Sequence, residues 1–177
     1  MELIFSGFGG QGVLTAGLIV AYAGNETGKK VLWSPSYGSE MRGGTANCHV
    51  TISDEDIGSP SLSACDALIA MNEPSLEKFA RIVRTGGCIV VNRSIVPAHY
   101  DYPEGVGVHG IHASELSEAC GNKRGMNLVM LGALCRVTRL FTLSCIIKQM
   151  TDYFAEKGIR NPLNAECLQA GYEQVGV

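Results

Sequence analysis

Hydrophobic and polar positions along the chain divide it into short apolar runs followed by a longer helical region. Leu3-Ile-Phe-Ser6 is a four-residue run stopped by Gly7, the pattern of a buried strand. From Gly12 to about Thr27 the apolar residues Val13, Leu14, Leu18, Ala21 and Tyr22 recur at helical spacing, and Gly28 ends the segment. Lys30–Trp33 is a second strand and Thr45–Ile52 alternates as a third, with the polar turn Ser53–Pro60 after it. Asp66–Met71 and Gly87–Val91 are nearly all apolar, as strands covered on both faces in a parallel sheet are. Between them Ser75–Arg84 is amphipathic with Pro74 near its start, which makes one β-α-β unit. Val106–Ile111 is the last strand. Beyond it the spacing predicts helices over 114–120, 127–140, 143–157 and 162–174, broken by Gly121, Gly125, Gly158 and Pro162. No repeat, low-complexity tract or linker interrupts this order. The expected architecture is α/β: residues 1–177 as a single three-layer α/β/α domain with a largely parallel sheet and a helical C-terminal third.

Composition adds limits. At 177 residues, 46% hydrophobic and 18% charged, the chain has the material for one well-buried core. A net charge of -3 argues against general binding to nucleic acid or to an anionic membrane. The apolar runs are much shorter than the roughly 20 residues that span a bilayer. Met1–Ser6 has no basic region ahead of its apolar run, so a soluble, cytoplasmic protein is expected. The seven cysteines, Cys48, Cys65, Cys88, Cys120, Cys135, Cys145 and Cys167, contain no Cys-x-x-Cys, the usual spacing of a zinc or iron–sulfur site. Several lie in apolar runs and read as small hydrophobes in a reducing compartment. No metal site is expected.

Two loops carry candidate chemistry. Gly7-Phe-Gly9-Gly10-Gln11-Gly12 is a Gly-x-Gly-x-x-Gly placed after a strand and before a helix, where free amides at the helix start attract an anion. A dinucleotide site of this kind also wants an acidic residue at the end of the second strand to hold a ribose hydroxyl. That strand ends Leu32-Trp33-Ser34, so a bound NAD or FAD is disfavoured, leaving another anionic ligand or a purely structural turn. The second loop is Ser36-Tyr37-Gly-Ser-Glu40-Met41-Arg42-Gly43-Gly44. Arg42 among glycines suits bidentate recognition of a carboxylate or phosphate, and Tyr37 and Met41 add an aromatic and a soft contact. The competing reading is a surface loop with a local Glu40–Arg42 pair. His49 reads as a strand residue, and His109 and His112 are poorly spaced for chelation from one strand face. Asn127 reads as an N-cap or first-turn residue of its helix. No Ser–His–Asp or Cys–His pair and no paired carboxylates can be nominated, so no catalytic residue is assigned.

Together the two motifs, Gly7-Phe-Gly-Gly-Gln-Gly-Val13 and Ser36-Tyr-Gly-Ser-Glu-Met-Arg-Gly-Gly-Thr45, resemble the gamma subunit of 2-oxoacid:ferredoxin oxidoreductases. The resemblance covers essentially the whole chain. It implies a subunit, inactive alone, of an enzyme that converts a 2-oxoacid and coenzyme A into acyl-CoA, carbon dioxide and reduced ferredoxin. The family acts on pyruvate, 2-oxoglutarate, ketoisovalerate and other branched-chain 2-oxoacids or, in one branch, indolepyruvate. The implied partners are alpha, beta and ferredoxin-like (delta) subunits, with ferredoxin as acceptor. Thiamine diphosphate and iron–sulfur clusters would sit on those chains, none on this one. The implied role is assembly and access of CoA, with Gly7, Gly9, Gly10, Gln11, Gly12, Tyr37, Glu40, Met41, Arg42, Gly43 and Gly44 as one surface facing CoA phosphates or a partner. Two other classes stay open: a stand-alone nucleotide- or CoA-binding module, and a small dehydrogenase acting alone. If Tyr37 and Met41 are exposed, the isolated chain would also be prone to form a homodimer.

Overall fold

The computed structural model describes residues 1–37, 45–58 and 63–175. Strand β1 (Glu2–Phe8) leads into helix α1 (Val13–Glu26), followed by β2 (Lys30–Tyr37), β3 (Thr45–Ser53) and β4 (Cys65–Ala70). Helix α2 (Glu73–Phe79) tightens into a 3-10 turn at Ala80–Ile82 before β5 (Val83–Asn92) and β6 (Gly107–Ile111). Helices α3 (Ala113–Ala119), α4 (Met126–Thr138), α5 (Leu143–Glu156) and α6 (Leu163–Gln174) complete the order. The expected elements are present, with shifted edges. Helix α2 starts earlier because Asn72 caps it, its Oδ1 accepting the Ser75 N–H at 3.0 Å. It also stops earlier, because β5 extends back through Gly86-Gly87 to Val83, next to an irregularity in its pairing with β4.

The six strands are ordered β2-β3-β1-β4-β5-β6. Pairing is parallel from β1 through β4 and β5 to β6, as the apolar runs suggested. Strand β3 is antiparallel to both its neighbours, β1 and β2. The reason is length: a parallel connection needs about a dozen residues or more, and positions 38–44 are too few. The chain turns back from β2 and lies in the gap beside β1. The sheet is therefore mixed at one edge.

Alternation along the strands builds two cores. Leu3 and Phe5 of β1, Ala67 and Ile69 of β4, and Cys48 and Val50 of β3 belong to the larger, with α1, α4, α5 and α6. Ile4, Leu68, Ile89 and Val91 belong to the smaller, with Leu76 and Phe79 of α2 and with Val96. The three layers are thus unequal, one helical layer being a single short helix and a loop. Helix α4 is buried at every position from Asn127 to Cys135, because α6 covers the side turned away from the sheet. The two helices meet backbone to backbone. A Cβ on Gly132 would lie 1.9 Å from the Leu168 carbonyl oxygen, and one on Gly171 1.8 Å from that of Val129.

Candidate functional site

The carboxyl ends of β1 and β4 are where an open α/β sheet can present a ligand to loops and helix starts. Here the loop after β1 turns sharply, the Gln11 N–H donating to the Phe8 carbonyl at 3.2 Å. Gly10 and Gly12 take φ of +91° and +73°, the left-handed region that glycine enters at little cost. Helix α1 then starts at Val13 with Gly12 as its N-cap. That residue offers no side chain to the first amides, and the first turn holds no acidic residue. These amides carry the positive end of the helix dipole.

The base of the loop is fastened from three sides. The Gln11 Oε1 accepts from the Phe8 N–H at 2.6 Å and from the Asn72 Nδ2 at 3.2 Å, so it joins the loop to the residue that caps α2. Gly7 leaves room for this: a Cβ there would lie 2.6 Å from the Gln11 Oε1 and 2.9 Å from Met71. Asn127, buried at the start of α4, donates from Nδ2 to the Gly12 carbonyl at 3.1 Å. The Cys48 thiol donates to the Val13 carbonyl at 3.7 Å. Burial pushes that thiol up to about 12 against the opposing effect of the Trp33 indole, so Cys48 is a packing group and not a nucleophile.

The tip of the loop is open. Gly9 and Gly10 are exposed, and among the described residues no atom lies within 4 Å of a Cβ built on either. They border a cleft of about 320 Å³ with Phe8, Leu14, Thr15 and Ala46. Gly10 is explained by its φ. Gly9 is not: neither its backbone conformation nor a neighbour among the described residues excludes a side chain there.

Register brings the second motif to the same end of the sheet. Tyr37 pairs with Ala46, Ala46 with Gly7, and Thr45 with Phe8. The segment joining β2 and β3 therefore leaves and re-enters the sheet beside the glycine loop. Glu40, Met41, Arg42, Gly43 and Gly44 themselves lie outside the described residues, as does the side chain of Tyr37.

The other polar residues stay apart from this cleft. His49 packs edge-on against Phe79, with ring centroids 6.2 Å apart; burial and then Lys78 lower its pKa, so it is held neutral as a strand residue. His109 is lowered by burial as well, and His112 faces Glu115 at 3.7 Å. Among the described residues no group of three or more His, Cys, Asp or Glu side chains could hold a metal ion. A larger cavity of about 540 Å³ lies at the amino ends of the strands. Its Arg84 is engaged by Glu2 and, at 2.6 Å, by Asp66. Asn72 and Cys48 were absent from the sequence-derived candidates, and Asn127 holds Gly12 instead of capping its own helix. Only Asn72 had a local signal, the Asn-Glu-Pro-Ser pattern of a helix start. Cys48 and Asn127 act on residues 35 and 115 positions away.

Residues 2–174 match the family model described as pyruvate ferredoxin/flavodoxin oxidoreductase. The chain is 42% identical over 129 residues to the ketoisovalerate oxidoreductase subunit VorA of Methanothermobacter marburgensis, covering 73% of this chain and 27% of that one. It thus spans about a quarter of the length of the first relatives it matches. It is 32% identical over 174 residues to the 2-oxoglutarate synthase subunit KorC of Methanocaldococcus jannaschii, covering 97% and 92%. Among solved structures, the gamma subunit of keto/oxoacid ferredoxin oxidoreductase from Geobacter sulfurreducens superposes with a TM-score of 0.79 at 29% identity, over 98% and 96% of the two chains. The 2-oxoglutarate:ferredoxin oxidoreductase of Magnetococcus marinus, solved with 2-oxoglutarate, coenzyme A and succinyl-CoA bound, superposes at 0.85 with 25% identity, over 98% of this chain and 30% of that one.

Proposed function

The chain belongs to the pyruvate ferredoxin/flavodoxin oxidoreductase family, and from that premise we propose that it is the gamma-type subunit of a multi-subunit 2-oxoacid:ferredoxin oxidoreductase. Residues 1–177 act as one such domain in a cytoplasmic complex with alpha, beta and ferredoxin-like delta subunits. The assembled enzyme decarboxylates a 2-oxoacid, passes the acyl group to CoA and gives the two electrons to ferredoxin. Thiamine diphosphate and the iron–sulfur clusters belong to the partner chains in this reading. The observation that carries it is correspondence over the whole chain with a separate gamma subunit, 98% of one covering 96% of the other.

Within that assembly, we propose that the glycine loop and the Tyr37–Gly44 segment face CoA or the subunit that holds it. CoA would supply the thiol that accepts the acyl group. The residues present fit its anionic part: exposed Gly9 and Gly10 leave the backbone approachable, and the uncapped first turn of α1 offers amides to a phosphate. Arg42 would add a bidentate donor. Gln11, Asn72 and Asn127 hold the loop in shape from behind. The test is Arg42→Ala in the assembled enzyme, reading the KM for CoA and retention of the subunit on size exclusion. A raised KM or a looser complex is expected. Unchanged kinetics together with unchanged assembly would overturn the site.

A further inference from the structure

A cavity of about 460 Å³ opens between the end of α5 and the start of α6, sharing no lining residue with the cleft at the glycine loop. Its volume suits a small molecule. The walls are apolar: Met150, Phe154 and Ala155 of α5, Ile159 and Pro162 of the turn, and Ala165 of α6. The oxygens of its polar side chains are already engaged. The Thr151 hydroxyl donates to the Ile147 carbonyl at 2.7 Å. The Asn161 Oδ1 accepts the Leu163 N–H at 3.1 Å, and the Asn164 Oδ1 accepts from the Asn122 Nδ2 at 2.9 Å. What is left is a set of N–H donors. Asn164 is only 8% exposed, yet among the described residues its Nδ2 donates to no acceptor, which is unusual for so buried an amide. Arg160 lines the same cavity. Among the described residues it forms no ion pair, and no acidic side chain is part of the lining.

We propose that this cavity binds a small apolar monocarboxylate, its hydrocarbon body against Phe154, Ile159 and Ala165 and its carboxylate between Arg160 and the Asn164 Nδ2. The chemistry of the lining selects that class. An ionised carboxylate carries acceptors and no donor, the complement of a site whose free polar atoms are all N–H groups. Arg160 supplies one positive charge and a fork that fits two carboxylate oxygens. A cation finds no opposite charge in the lining. A purely apolar molecule leaves the Asn164 amide unpaired in a closed site, which costs affinity. A phosphate or dicarboxylate has to desolvate a second charge against the apolar walls with no second cation to meet it. The branched or aromatic acids of a few carbons beyond acetate are the members of the class that also use the walls.

The test titrates the isotope-labelled full chain with 4-methylpentanoate and follows backbone amide resonances, with 4-methylpentanamide and acetate as comparisons. Saturable shifts are expected at Phe154, Ala155, Ile159 and Ala165, with the neutral amide and acetate each binding at least about tenfold more weakly. Arg160→Gln should weaken 4-methylpentanoate by a similar factor. Asn164→Asp keeps an acceptor for Asn122 but replaces the free donor with a negative charge, and it should abolish binding. Ala165→Leu fills the cavity from a partly buried position and tests the site even if the Asn164 variant does not fold. Absence of saturable shifts at these residues would overturn the proposal, as would equal affinity for the amide, or unchanged binding in Arg160→Gln and Ala165→Leu. Shifts at the same residues on concentrating the chain without probe would assign the cavity to a second copy and overturn it as well.

Discussion

Gly12→Ala and Gly9→Ala separate what the loop needs for its own shape from what it offers outward. At Gly12 the added methyl meets two penalties. The residue sits at φ +73°, where a non-glycine residue costs about 1–2 kcal/mol. Its Cβ would also lie 2.5 Å from the Asn127 Nδ2 and 2.8 Å from that residue's Cγ. Asn127 must swing away and lose its hydrogen bond to the Gly12 carbonyl. That carbonyl keeps a second donor, the Ala16 N–H at 3.0 Å, so the loss is taken as about 1 kcal/mol. The sum is about 2–3 kcal/mol, a Tm lowered by about 4–12 °C for a chain of this size. Gly9 has neither penalty, and an alanine there is expected to change stability by less than about 0.5 kcal/mol. Thermal and urea unfolding of the purified chain measure both. In an Asn127→Ala background the two closest contacts disappear and a Cβ contact at 3.3 Å is left, so Gly12→Ala should cost chiefly the backbone part, about 1–2 kcal/mol. An unchanged Tm for Gly12→Ala, or an equal fall for Gly9→Ala, would refute the reasoning. In the assembled enzyme the ranking should differ: Gly9→Ala weakens CoA use or subunit retention while leaving the chain folded.

Three further outcomes follow from the packing and the charges. Gly171→Ala places a Cβ 1.8 Å from the Val129 carbonyl, and overpacking of about 1–3 kcal/mol outweighs the gain of up to about 1 kcal/mol in helix propensity. Its Tm should fall, and an equal or higher Tm would show that α4 and α6 separate freely. Asn72→Ala removes the α2 cap and the partner of Gln11, at a cost of about 0.5–2 kcal/mol in urea unfolding; no change would mean that the cap is dispensable. His49 has its folded pKa below the unfolded value of about 6.5, so the unfolded chain binds more protons as the pH falls. Its contribution is complete above that value and is lost toward the lower folded one. His49→Gln should therefore lose less stability between pH 7.5 and 5.5 than the parent chain, and an equal loss would remove His49 from the account.

Local pattern carried much of the fold. The run Asp66–Met71 had to be a strand covered on both faces, and the structure buries Ala67–Met71 almost completely. The antiparallel β3 was less legible, since alternation in Thr45–Ile52 sets which residues share a face but not which neighbour they pair with. Edges moved where a cap or a bulge decided them, as at Asn72 and at Gly86-Gly87. The glycine loop was legible because its chemistry is local: two left-handed residues and a helix start. What holds it was not, because Cys48 and Asn127 come from elements remote in sequence. Both residues have ordinary local explanations, a strand position and a helix start, and only tertiary packing gives them a second role. The division of labour inside the motif was equally hidden. Gly7 and Gly12 answer to neighbours within the chain, Gly9 to none among the described residues.

The most direct test of the subunit assignment is anaerobic affinity purification of the tagged full-length chain from cells that express it, with partners identified by mass spectrometry and cofactors by absorbance and thiamine assay. The account predicts a brown complex containing thiamine-diphosphate and ferredoxin-like subunits that reduces ferredoxin in the presence of a 2-oxoacid and CoA. A chain recovered alone, binding CoA or a nucleotide by itself, would contradict it and leave a stand-alone binding module in its place.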